Sequence, residues 1–318
     1  MSARAADHPI FNECDPMKAN IPSAVEISLA TPQLSLAQRL QHFALERATT
    51  PYGEIEFRQS SLFQGRVTHV LLHGIGSSSA SWLMQLEAAS VNGGTRVLAW
   101  EAPGYGSSSP MAPAQPDAGD YACRLWALLD TLGITQAVTL VGHSLGALMA
   151  TRAVMQRPEQ VRRLVLLSPA LGYARASSEE RGQILNEILT NLNTLGAQGM
   201  ANKRGPAMLS PQAEPDHLAY VTSIMARVHP AGYTQAAHLL AGGDLLADLA
   251  QVIRLKCPVS VGSGRADTIT PMNECQKVAQ EAGVAWADFG DSGHACAVDA
   301  AIRVNELLGL VFHTESLA

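Results

Sequence analysis

Short apolar runs and amphipathic stretches alternate along most of this chain. Val67–Leu72 (VTHVLL) and Val97–Trp100 (VLAW) read as buried strands, as do a run opening at Val138 (VTLV) and Val161–Leu167 (VRRLVLL). Between the second and third of these, Tyr121–Leu132 has helical periodicity and stops before Gly133, as helices commonly do. Gly53–Ser60 alternates apolar and polar residues, predicting a half-exposed antiparallel strand. Leu36, Leu40, Phe43 and Ala44 fall at helical spacing and predict a short amphipathic helix over Ser35–Arg47. From Leu171 to about Ala250 no buried strand is legible, and Ser178–Leu195, Asp216–Val228, Tyr233–Leu240 and Leu245–Ile253 read as helices. The alternation resumes with Pro258–Gly262, a helix from Pro271 through about Gln280, a last strand Val284–Phe289 and a closing helix over about Ala300–Val311. Residues 1 to about 33 contain Pro9, Pro16, Pro22 and Pro32 without periodicity and read as an irregular leader.

Strands that alternate with helices build a mainly parallel sheet covered by helices on both faces. The expected architecture is therefore α/β, with residues 51–170 and 251–318 as its core. Residues 171–250 form an inserted helical cap, of the kind that shapes a binding pocket, and residues 1–50 are the leader and short helix.

The run from Val138 passes through Gly142-His143-Ser144-Leu145-Gly146 and continues as LMA, which is strand, sharp turn, helix. A serine at the apex of such a turn is held in a strained backbone conformation, and small residues two positions on either side let strand and helix approach. Its hydroxyl then projects from the sheet edge. Alone, that hydroxyl is a weak nucleophile and needs an imidazole to take its proton. Two later strands end in loops that carry Asp267 (GRADTITP) and His294 (GDSGH). In an open α/β sheet the carboxyl ends of the strands share one edge, so Ser144, Asp267 and His294 can converge as nucleophile, orienting acid and base. The Gly-rich bend His73-Gly74-Ile75-Gly76 after the first buried strand can turn backbone N–H groups into a cavity as oxyanion donors. Asp288, Asp291 and Asp299 lie near His294 in sequence, but an acid on the histidine's own loop is badly placed to orient it. His73 and His143 read as loop-orienting residues, and Cys296 as an inert thiol.

Composition narrows the range of partners. Of 318 residues 47% are hydrophobic and 16% charged, and the formal net charge is −6. That is a soluble globular composition with no electrostatic reason to approach nucleic acid or an anionic membrane. Five cysteines, with no C-x-x-C pair, suggest neither a zinc site nor a disulfide framework. The first 20 residues lack the apolar segment of a secretory signal, and no run of about 18 apolar residues occurs. A reduced, cytoplasmic protein without metal or organic cofactor is expected.

The motifs HGIG (73–76), GYGSS (104–108), GHSLG (142–146), GRADTITP (264–271) and GDSGH (290–294) stand in the order and spacing of the α/β-hydrolase superfamily, which residues 50–313 resemble. The resemblance implies an α/β-hydrolase fold with a Ser144–Asp267–His294 triad. It also implies oxyanion donors at the backbone N–H of Leu145 and of Ile75, with Gly76 as the alternative to Ile75. In layout the chain is similar to small bacterial enol-lactonases, carbon–carbon bond hydrolases of aromatic degradation and carboxylesterases. It departs from the carbon–carbon hydrolases at Ala295, where an aromatic residue commonly follows the histidine, and from many members at Ala147, where a second glycine follows the elbow. Hydrolysis of a small ester or lactone through an acyl-serine is the expected activity. Carbon–carbon hydrolysis, acyl transfer and ligand reception by a retained triad are the alternatives. Arg175, Arg181 and Arg204 in the insert are candidates for holding a substrate carboxylate, against the reading of ordinary solvated charges.

Overall fold

The alternating pattern folds into one eight-stranded sheet. The structure, a computed structural model, describes residues 34–60, 65–91 and 95–310. The leader read over residues 1–33 and the end of the closing helix at Val311 lie outside the described residues.

In chain order the elements begin with α1 (Leu36–Leu40), β1 (Glu46–Thr50), β2 (Gly53–Gln59), β3 (Val67–Leu72), α2 (Leu83–Val91), β4 (Arg96–Trp100) and α3 (Ala118–Thr131). Next come β5 (Val138–His143), α4 (Leu145–Gln156) and β6 (Val161–Leu167). Between β6 and β7 (Val259–Ser263) lie α5 (Ser178–Arg204), α6 (Pro215–Met225), α7 (Pro230–Gly242) and α8 (Leu245–Arg254). The chain ends with α9 (Met272–Ala282), β8 (Trp286–Asp288), α10 (Cys296–Asp299) and α11 (Ala301–Leu308). Strand order is β1-β2-β4-β3-β5-β6-β7-β8, antiparallel at the β1/β2 and β2/β4 pairs and parallel thereafter. All of β5 and most of β3 and β6 are buried, which is why they read as near-continuous apolar runs rather than alternating ones.

The structure corrects the helix expected over Ser35–Arg47. Ser35 and Gln38 form a capping box, but the helix ends at Leu40, and Glu46–Thr50 is an edge strand. It pairs antiparallel with β2, from Glu46 opposite Phe57 to Thr50 opposite Gly53. Thr49 and Thr50 favour the extended chain, and the Pro51-Tyr52 turn closes on Gly53 at φ 110°, a value suited to glycine. The ladder hydrogen bonds of this hairpin outweigh the helical spacing of the residues before it. Arg58 also donates to the Phe43 carbonyl, which fixes the bend between helix and strand.

In the insert, helical periodicity ends at Leu195 because Gly196 breaks the helix with φ 65° and ψ 176°. A second helical run then continues to Arg204. That extra run carries the one arginine of the insert that reaches the cavity described below.

Candidate active site

Ser144 sits where β5 gives way to α4, at φ 52° and ψ −118°. A non-glycine residue in this region stores about 1–3 kcal/mol and persists only where its surroundings fix it. Here the surroundings are close-packed backbone. A Cβ on Gly146 would lie 2.3 Å from the Leu72 carbonyl oxygen, and one on Gly142 would lie 2.4 Å from that of Gly146. The Ser144 N–H donates to Leu167 O at 3.0 Å, and its carbonyl accepts from Ala147 and Ala170 at 3.0 and 3.2 Å. Sheet, helix and the loop after β6 together hold the turn.

His294, 2% exposed, lies in the loop after β8, and its Nδ1 is 2.9 and 3.1 Å from the two carboxylate oxygens of Asp267 in the loop after β7. Asp267 also accepts from the backbone N–H groups of Ile269 and Thr270, both at 2.9 Å, and from the Thr270 hydroxyl at 2.9 Å. Burial alone would raise the Asp267 pKa. The His294 hydrogen bond and charge, with the Thr270 N–H, outweigh it and hold the carboxyl at about 2. The acid is therefore ionised across the physiological range, with His294 Nδ1–H directed at it. Nε2 is left for another partner.

Ser144 and His294 line one small cavity with Ile75, Gly76, Arg204, Met208, Met225, Tyr233 and Ile269. Among the described residues no hydrogen bond joins Ser144 Oγ to His294. The cavity holds about 20 Å³, room for about one water. An acyl group enters only if the walls move, and Met208 and Met225, long and unbranched, are suited to such repacking.

Two backbone N–H groups close to Ser144 in the fold are the candidate oxyanion donors. Leu145 opens α4, so its N–H has no acceptor within the helix. In the bend after β3, the Gly76 N–H is directed at the Tyr105 hydroxyl at 3.4 Å. Ile75 N–H has no acceptor among the described residues. Of the two candidates in that bend, Ile75 is the one with a free donor.

The neighbouring histidines hold loops. His73 Nδ1–H donates to Gly74 O at 2.9 Å, and Nε2 accepts from Ala102 N–H at 3.1 Å, tying the bend after β3 to the loop after β4. Burial pushes its pKa down to about 4. His143 donates from Nε2 to the backbone carbonyl of His294 at 2.8 Å, and burial together with the nearby His294 pushes it down to about 3. Both rings are neutral near pH 7, as the bond accepted by His73 Nε2 from Ala102 N–H requires. The other nearby acids are engaged elsewhere. Asp299 accepts from Gly293 and Ser210 N–H at 2.7 and 2.8 Å, Asp288 pairs with Arg265, and Asp291 is exposed. Cys296 is buried, and burial raises its thiol far above the ordinary range, so it is not an activated thiolate.

Thr270 was not singled out in the sequence. Its hydroxyl oxygen is 2.9 Å from Asp267 Oδ2, 3.1 Å from His294 Nδ1 and 3.1 Å from Ser168 O, so it fixes the acid, the histidine and the loop after β6 at one point. The available signal was its place three residues after an Asp, where a hydroxyl and N–H commonly close a local turn. Among the described residues no cluster of His, Cys, Asp or Glu could hold a metal ion.

Glu101, at the end of β4, is 3% exposed. One carboxylate oxygen accepts from Ser79 N–H at 3.0 Å and from the Ser79 hydroxyl, while the other has no partner among the described residues. Burial pushes its pKa up to about 7, against the Ser79 hydrogen bonds, which lower it. The folded state thus binds this proton more tightly than the unfolded chain. Stability attributable to Glu101 falls as pH rises from about 4.5 to about 7, and the penalty is complete above that window. Glu101→Gln is expected to remove a penalty of up to about 3 kcal/mol at pH 8 and none at pH 4. Urea unfolding at both pH values checks this, and an equal effect at both would overturn it.

A family model described as the alpha/beta hydrolase fold matches residues 70–211. Over 295 residues, 83% of this chain and 95% of the relative, the sequence is 26% identical to the 2-hydroxy-6-oxononadienedioate/2-hydroxy-6-oxononatrienedioate hydrolase of Paraburkholderia phymatum. Among solved structures, a thermophilic esterase from Thermogutta terrifontis superposes with TM-score 0.72 at 22% identity, covering 84% of this chain and 97% of the esterase. The enol-lactonase from Burkholderia xenovorans superposes with TM-score 0.71 at 21% identity, covering 83% and 98%. At these identities the two superpositions speak for the fold.

Proposed function

We propose that this chain, which has the α/β-hydrolase fold, is a serine hydrolase of that superfamily that cleaves a small carboxylic ester or lactone through an acyl-serine. The observation that carries the reading is the pairing of His294 Nδ1 with an ionised Asp267 while His294 lines the same cavity as the strained Ser144. In this mechanism Ser144 Oγ attacks the carbonyl carbon and its proton passes to His294 Nε2. The carbonyl oxygen gains the charge and lies against the Ile75 and Leu145 N–H groups, where each donor contributes about 3 kcal/mol. Collapse of the tetrahedral species expels the alkoxide, which takes the proton from His294. A water then attacks the acyl-serine, gives its proton to His294 and releases the acid, and the proton returns to Ser144.

Residues 171–250 act as the cap in this proposal, supported by Arg204, Met208, Met225 and Tyr233 of that segment standing on the cavity wall. Four of the five cysteines lie in the described residues, all as free thiols, which supports a reducing, cytoplasmic setting. Among the described residues no single helix is long and apolar enough to cross a membrane. Carbon–carbon hydrolysis is the second reading, favoured by the similarity to the Paraburkholderia enzyme. Initial rates on a panel of esters, lactones and a vinylogous ring-cleavage diketone separate the two. Ester or lactone turnover with an acyl group trapped on Ser144 is the expected result, and turnover of the diketone alone would replace the proposal with the second reading.

A further inference from the structure

Most arginines of this chain that lie near a carboxylate are neutralised by it. Arg39 pairs with Glu87, Arg152 with Asp248, Arg157 with Asp130 and Arg265 with Asp288. Within the insert, Arg175 pairs with Asp244 at 2.9 Å, and Arg181 bonds the Ser178 hydroxyl on the exposed start of α5. Arg204 differs from both. It is partly buried, makes no ion pair or side-chain hydrogen bond among the described residues, and lines the cavity that holds Ser144 and His294.

Its position is built rather than incidental. Arg204 closes the helical run that restarts after Gly196, and a Cβ on the next residue, Gly205, would lie 2.4 Å from the Thr222 hydroxyl of α6. The end of α5 is thus pressed against α6, which sets where the Arg204 side chain starts. The rest of the wall carries no acid. Ile75, Met208, Met225 and Ile269 are apolar, and Tyr233 adds a buried hydroxyl whose pKa is raised by burial and lowered by Arg204. Asp267 lines no part of this cavity and is satisfied by His294 and Thr270. A partly buried guanidinium without an acidic partner attracts a carboxylate and can meet it with two parallel hydrogen bonds.

We propose that Arg204 is a specificity-determining residue that binds a carboxylate on the substrate, so that the substrate class is a half-ester or lactone of a short dicarboxylic acid. Arg204 and Ser144 stand on the wall of one cavity, so the charge and the scissile carbonyl are separated by a few carbon atoms. Neutral esters of the same length gain no such ion pair, and the site favours the acidic ester for that reason.

This inference rests on the acyl-serine reading, and the test separates the two. Wild type, Arg204→Gln and Arg204→Lys are assayed on mono-p-nitrophenyl glutarate and on its neutral counterpart, the methyl p-nitrophenyl diester. Labelling of Ser144 by a small fluorophosphonate reports the nucleophile independently, and loss of that labelling would count against the acyl-serine reading alone. Wild type is expected to prefer the acidic ester. Arg204→Gln should lose about 100-fold in kcat/KM on it, mainly through KM, with less than about threefold change on the neutral ester. Arg204→Lys, which keeps the charge without the fork, should fall between. Binding of glutarate itself, read by thermal shift, should be seen with wild type and lost with Arg204→Gln whether or not either ester turns over. Equal losses on both esters, a wild-type preference for the neutral one, or glutarate binding that is absent from wild type or unchanged in Arg204→Gln would overturn the proposal.

Discussion

Ser144→Ala is expected to lower turnover by about 10⁴-fold or more, with no loss of folded structure. The size follows from what the substitution removes. Without Oγ no acyl-enzyme forms, and only the Ile75 and Leu145 donors and substrate binding remain to assist attack by water. The fold should tolerate the change for reasons visible at the turn. Alanine keeps the Cβ that packs beside Gly74, where a Cβ on the glycine would come within 2.9 Å of it. The hydrogen bonds that hold the turn are backbone bonds, from Ser144 N–H to Leu167 O and from Ala147 and Ala170 N–H to the Ser144 carbonyl, and Ser144 Oγ makes none among the described residues. A melting temperature equal to or slightly above that of wild type, beside abolished turnover and abolished fluorophosphonate labelling, is the expected outcome. Retained turnover in a folded variant would mean that another group attacks the substrate.

Much of this site was legible because its geometry is carried by the backbone. The elbow needs glycine at 142 and 146 for close approach, and the strands that end before His73 and Ser144 are almost wholly buried, so they read as near-continuous apolar runs. The parallel sheet then brings those strand ends to one edge without any further signal. Illegible features depend on contacts between segments distant in sequence. The hairpin strand Glu46–Thr50 was hidden behind helical spacing because its stabilisation comes from the β2 ladder, and edge pairing leaves no periodic mark on a five-residue strand. Thr270 is not legible in the sequence because a hydroxyl reveals its role only when its three polar partners meet around it. Arg175, Arg181 and Arg204 were equivalent in the sequence. They separate only once Asp244 is seen beside the first and the cavity beside the last. The volume of that cavity was equally hidden, since it depends on how Met208 and Met225 pack on its wall.

Asp267→Asn is expected to reduce kcat by about 10⁴-fold with a small change in KM. Asp267 accepts the Nδ1 proton of His294, and that bond keeps Nε2 unprotonated and able to accept from Ser144. An asparagine amide directed at Nδ1 donates instead and selects the opposite tautomer, with the proton on Nε2 facing the nucleophile. The variant also lacks the negative charge that stabilises the imidazolium formed during attack. Stability supplies a second, independent signature. The Asp267 carboxyl is held at about 2 against an ordinary 3.8, so its contribution is full above the ordinary value and is lost as pH falls through about 2. Wild-type stability should therefore decline over that acid window, and the Asp267→Asn curve should be flatter there and lower at pH 7. Asp288→Asn and Asp291→Asn, whose side chains face Arg265 and solvent, should leave kcat within about threefold of wild type, as surface changes away from the reacting groups do. If Asp267→Asn lost less than tenfold while one of these lost more, the orienting acid would have to be reassigned to the loop that carries His294 itself.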